Sequence, residues 1–159
     1  MNLQLLQWGL VSFIIGIFLS LALAAVYIDN SPPWAKIFTN PRKLKSAHID
    51  FFMQAFGAGL VYLVEWASHS IFPMYIVVPL MFGMIGNPLI LLIEATPLYR
   101  SGPMSLFYRG LQATSPISLL FAWLAIAWRS LPVPLLLFVS SFLLIGIALI
   151  WNYRRKAAV

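Results

Sequence analysis

Long apolar blocks with almost no charge alternate along this chain with short polar stretches that hold most of its cations. A helix that crosses a bilayer needs about 20 mainly apolar residues, and the blocks suit that length. The first runs from about Leu5 to Ile28, followed by a polar, proline-containing stretch from Asp29 to Ala47. The second runs from about His48 to Ser68. A short connection, His69 to Pro73, leads to a third from about Met74 to Thr96. Pro97 to Thr114 is expected as a loop. A fourth block, Ser115 to Trp128, is divided from a last one ending at Tyr153 by Arg129-Ser130-Leu131-Pro132-Val133-Pro134. The pattern predicts an all-α, polytopic transmembrane bundle, one domain over residues 1–159. Two helices joined at Arg129–Pro134 make five spans, and one long kinked helix makes four. Proline lacks the N–H that continues a helix, and five spans return the cationic tail to the side of the basic loops, so five satisfy more constraints.

Charge adds orientation. Nine of the ten Lys and Arg residues fall in three places: Lys36, Arg42, Lys43 and Lys45; Arg100 and Arg109; and Arg154, Arg155 and Lys156. Cationic loops stay cytoplasmic. The N-terminus is therefore expected outside and the C-terminus in the cytoplasm, with the chain in a bacterial plasma membrane. Composition agrees: 62% of residues are hydrophobic and 9% charged, against roughly 25% charged in soluble domains. The net charge of +6 suits anionic lipid headgroups. No basic surface interleaved with aromatics points to nucleic acid. Cysteine is absent, which removes disulfides and thiol chemistry. The N-terminus, MNLQLLQWG, has no cationic n-region, so the first block is expected as a retained anchor. Trp8, Trp34, Trp66, Trp128 and Trp151 mark expected headgroup interfaces.

Ionisable groups inside a membrane are costly and are candidates for function. Asp29 falls in a loop, and Glu65 falls beside Trp66 at the outer end of the second span, where water is expected to reach it. Asp50 and Glu94 are more informative. An antiparallel hairpin of the second and third spans puts His48, Asp50 and Glu94 at similar depth, with Gln54 and Asn87 deeper. Gln112, Thr114 and Ser115 are placed to close this funnel. Gly83, Gly86 and Pro88 around Asn87 permit close approach to the backbone. Buried amides also join helices without further function. His48 admits two readings: an interfacial histidine among headgroups, or an axial ligand to haem iron. In the second, Arg42, Lys43 and Lys45 are placed to pair with haem propionates. His69 lies about 30 Å away by helical rise, so one histidine would hold the iron and leave a position open. No zinc spacing, Ser-His-acid arrangement, P-loop or dinucleotide fingerprint occurs.

The segments KSAHIDFFMQAFGAG and GNPLILLIEATPLYRSG resemble the styrene oxide isomerase family, small helical membrane enzymes. The matching positions are His48, Gln54, Asn87 and the Pro97–Gly102 stretch. The resemblance implies haem b held through His48 at the subunit interfaces of a trimer, and ferric iron acting as a Lewis acid on an epoxide oxygen to yield an aldehyde. The chain departs from the family at Leu91 (tyrosine), Gly83 (an acid), Gln54 (asparagine) and in its fifth span. The resulting expectation is a homo-oligomeric isomerase for a small apolar substrate. His48 holds iron, Gln54, Arg42, Lys43 and Lys45 contact the cofactor, and Asn87 and Glu94 act in catalysis. The alternatives are a non-enzymatic membrane subunit or scaffold, and a small permease with Asp50 and Glu94 as a proton-coupled gate.

Overall fold

A computed structural model describes residues 1–28, 32–100 and 102–157, with the side chains at 32, 100 and 154–157 outside the description. Asp29 and the side chains of the tail cations therefore lie outside the described residues. The described elements are helices: α1 (Leu3–Tyr27), the short α2 (Pro32–Ile37), α3 (Pro41–Ser68), α4 (Met74–Glu94), a 3-10 turn (Pro97–Arg100), α5 (Pro103–Ser130) and α6 (Val133–Ala157). Five of them are long and apolar enough to cross a membrane. The chain is an all-α integral membrane protein with five spans.

Two boundaries differ from the sequence expectation. The second span begins at Pro41, not near His48. Asn40 caps it, its side chain accepting from the Lys43 N–H at 3.3 Å, and Pro41 occupies the first turn, where its missing N–H costs nothing. Charge made this segment look like a loop, whereas Arg42, Lys43 and Lys45 belong to the first turns of the helix. Likewise α5 begins at Pro103, so Arg109, Gln112 and Thr114 are helical instead of lying in a loop. Gly102, at φ 72°, turns the chain immediately before it. The break between α5 and α6 has a plain cause. Leu131 is extended (φ −93°, ψ 140°), as a residue before proline tends to be.

α1, α3, α4 and α5 pack as successive antiparallel neighbours. At one end Asn2 meets Glu65 and Phe72, and Arg129 of α5 donates to the Tyr75 hydroxyl of α4. At the other end the Asn40 N–H donates to the Ala95 carbonyl at 3.1 Å. Small residues bring α1 and α3 together: Gly9 faces Ala58, and the Ser12 hydroxyl donates to the Phe51 carbonyl at 2.8 Å. Lipid offers no hydrophobic drive for such contacts, so close backbone approach and hydrogen bonds carry them. Leu5, Val61, Ile76 and Leu80 centre one apolar cluster, Leu19, Leu44, Ala47 and Phe51 a second, and Ile90, Ile93 and Leu111 form a third. α6 stands apart, with no residue of its most apolar stretch buried within the chain.

Candidate functional site

His48 sits two turns into α3, half-buried, on the side that meets α1. Its Nδ1 lies 2.8 Å from the Gly16 carbonyl oxygen. A carbonyl only accepts, so Nδ1 carries the proton, and in the neutral ring Nε2 keeps the lone pair. No described residue bonds Nε2. Phe52, one turn on, packs edge-on against the imidazole, with centroids 4.8 Å apart and planes at 82°. Phe13 packs against Phe52 in turn, at 5.0 Å. Beside His48 runs an open groove of about 550 Å³, walled by Leu23, Ala24 and Ile49 and edged by Ser20, Tyr27 and Lys45. That volume falls within the roughly 300–1,000 Å³ of small-molecule and cofactor sites. An imidazole nitrogen with a free lone pair, an apolar wall and a nearby ammonium fit a haem, whose face is apolar and whose edge is anionic.

A second polar region lies where α3, α4 and α5 meet. Lys43 Nζ pairs with Glu94 Oε2, the Tyr108 hydroxyl donates to Glu94 Oε1 at 2.6 Å, and Gln112 donates to Tyr108 at 3.2 Å. Three helices are thus tied at one level. Seven residues along each helix, about 10 Å deeper, come Asp50, Asn87 and Ser115. Ser115 donates to Asn87 Oδ1 at 2.9 Å, and Gln54 donates to Asp50 at 3.1 Å. Helix phase puts Lys43, Asp50, Gln54 and Gly57 on one stripe of α3. The ends of that stripe meet Glu94 and Trp123.

The candidate residues therefore divide between two places. Lys45 and His48 share the α1–α3 groove, with Arg42 exposed in the turn before. Lys43, Gln54, Asn87 and Glu94 belong to the α3–α4–α5 region. Gln54 is turned about 120° from His48 around α3. Glu94 is level with Lys43 and not with His48 and Asp50, which lie deeper. Thr114 is exposed and returns its hydroxyl to the Gly110 carbonyl. His69 caps the far end of α3 in the left-handed region at φ 49°.

Glu65 also departs from expectation. It is not a water-exposed interfacial acid but fully buried. It accepts from the Asn2 backbone N–H at 2.6 Å, the Asn2 side-chain amide at 2.5 Å and the Phe72 N–H at 2.8 Å. Three donors offset the cost of burying a carboxylate. Gly16 and Phe52, which touch the His48 ring, were not singled out in the sequence. The signal available there was the small-residue spacing of Gly9, Ser12 and Gly16, which marks a close helix contact. Among the described residues no three His, Asp or Glu side chains cluster to hold a metal ion, whereas a haem iron needs one protein ligand. The chain matches no protein-family model, no curated protein and no solved structure.

Proposed function

We propose that this chain is a membrane-embedded haem-binding protein of isomerase type, acting on a small apolar epoxide, with its basic end toward the cytoplasm. One observation carries the reading: His48 donates from Nδ1 to the Gly16 carbonyl and keeps the Nε2 lone pair unbonded beside an apolar groove. Metal-binding histidines are held in this way, the second nitrogen fixing tautomer and ring plane. The likeness of the His48 and Asn87 segments to the styrene oxide isomerase family supports the same reading.

His48 would hold the haem, and Lys45, with Arg42 a turn earlier, would meet its propionates. When bound, haem supplies a Lewis-acidic iron with a vacant position that polarises an oxygen. The chain's own groups bind, orient and exclude water. Leu23, Ala24 and Ile49 give the groove an apolar wall that suits an apolar substrate. The Asn87 Nδ2 has no partner among the described residues, so it can donate to a substrate oxygen. Glu94, already held by Lys43 and Tyr108, organises the rim. His48 and Asn87 do not meet within one chain, so their joint action takes them from two protomers of a homo-oligomer, with a trimer as the family-based expectation. The test is an absorption spectrum after haem-supplemented expression. A Soret band lost in His48→Ala supports the proposal, and a colourless wild-type protein defeats it.

The Asn87–Ser115 bond favours a second reading, a non-enzymatic module whose amides only join helices. It predicts a colourless protein in which Asn87→Leu costs only about 0.6 kcal/mol of stability, the mean for such bonds in membranes.

A further inference from the structure

We infer that Gly16 and Phe52 form a positioning pair that sets the tautomer and plane of the His48 imidazole. The inference rests on the reading of His48 as the haem ligand and concerns how that ligand is held. Gly16 has two roles in the geometry. Its carbonyl receives the Nδ1–H of His48 at 2.8 Å, with the Ser20 hydroxyl as a longer second donor at 3.3 Å. Its missing side chain admits Phe52. A Cβ at position 16 would lie 3.1 Å from Phe52 Cε1 and 3.2 Å from both Cδ1 and Cζ. Those are ring atoms of a side chain that two other rings flank. The imidazole of His48 stands edge-on to it at 4.8 Å, and Phe13 packs against it at 5.0 Å.

The consequence follows from packing. A methyl group at position 16 pushes the Phe52 ring, and the ring pushes the imidazole it abuts. A turned imidazole loses the Gly16 carbonyl as acceptor. Without that acceptor nothing among the described residues distinguishes Nδ1–H from Nε2–H, so both tautomers become populated. In the Nε2–H form the nitrogen left without a partner in the chain has no lone pair to offer a metal. Gly16 and Phe52 are thus positioning residues that act through His48.

The test uses haem-free, full-length protein carrying ¹⁵N-histidine in lipid nanodiscs, with the His48 signals identified by their loss in His48→Gln. Wild type is expected to show protonated Nδ1 and unprotonated Nε2. Gly16→Ala is expected to show a mixture of tautomers, and adding Phe52→Leu, which trims the ring, should restore the wild-type pattern. In haem titrations Gly16→Ala should bind about 10–100-fold more weakly, as mutations of such supporting groups typically do, and the double variant should recover. A protonated Nε2 in wild type, or a wild-type tautomer in Gly16→Ala, overturns the inference. If Gly16→Ala does not fold, Phe52→Trp decides: its larger ring should crowd the imidazole in the same way and mix the tautomers, and an unchanged pattern overturns the pair. The haem reading is decided separately. A locked Nδ1–H in a protein that stays colourless upholds the pair and removes the cofactor, and a coloured protein whose tautomer ignores position 16 removes the pair alone.

Discussion

Glu65 and His48 are both polar side chains at membrane depth, yet the protein treats them in opposite ways. Glu65 has three N–H donors, all from Asn2 and Phe72, and nothing left to offer. Replacing it by alanine strands those donors, at roughly 1–3 kcal/mol for each one that finds no water. Glu65→Ala should therefore lower the unfolding midpoint in detergent substantially, and an unchanged melt would contradict the assignment. His48 has one nitrogen committed and one without a partner, the pattern of a ligand. The sequence singled out His48 by residue type and by its place behind a basic stretch. It could not reveal the Gly16 carbonyl, because that partner is 32 positions away. Glu65 was misread for the same reason. Its donor Asn2 is 63 positions distant, and a neighbouring tryptophan suggested a wet interface.

At the scale of helices, α4 and α5 approach closely at Gly86. A Cβ at Gly86 would come 2.3 Å from Ser115 Oγ and 2.8 Å from its Cβ. Gly86→Ala should destabilise by about 1–3 kcal/mol, the usual cost of overpacking, and Ser115→Gly should recover most of that in the double variant. Additive losses by thermal melting would show that the two residues do not collide. Removing the helix cap, Asn40→Ala, should cost about 1 kcal/mol; no loss would mean that α3 does not depend on it. Apolar blocks located all five spans, because length and hydropathy alone limit what crosses a bilayer. Helix starts were less legible. Asn40-Pro41 and Gly102-Pro103 were the local start signals, and charge density concealed them: Lys43 and Arg109 look like loop residues but lie on helices that reach beyond the apolar zone.

The whole molecule is a four-helix core with α6 outside it. Since none of the apolar stretch of α6 is buried against the core, a chain ending after Ser130 should melt within about 4 °C of the full-length protein, the shift that ~1 kcal/mol produces at this size. A much larger drop would mean that α6 stabilises the core through a contact outside the single chain. Pro132 made the fifth helix legible, but no residue pattern indicated where it would sit. The candidate site was legible as a set of residues and not as a place. His48 and Lys45 border one groove, whereas Gln54, Asn87 and Glu94 belong to the α3–α4–α5 region, and only helix phase decides between the two sides of α3. Whether His48 presents Nε2 to a haem iron is decided by the absorption spectrum of purified protein from haem-supplemented cells. Wild type should show a Soret band that disappears in His48→Ala while the helical content by circular dichroism stays the same. A wild-type spectrum without that band, or a band that survives the substitution, contradicts it.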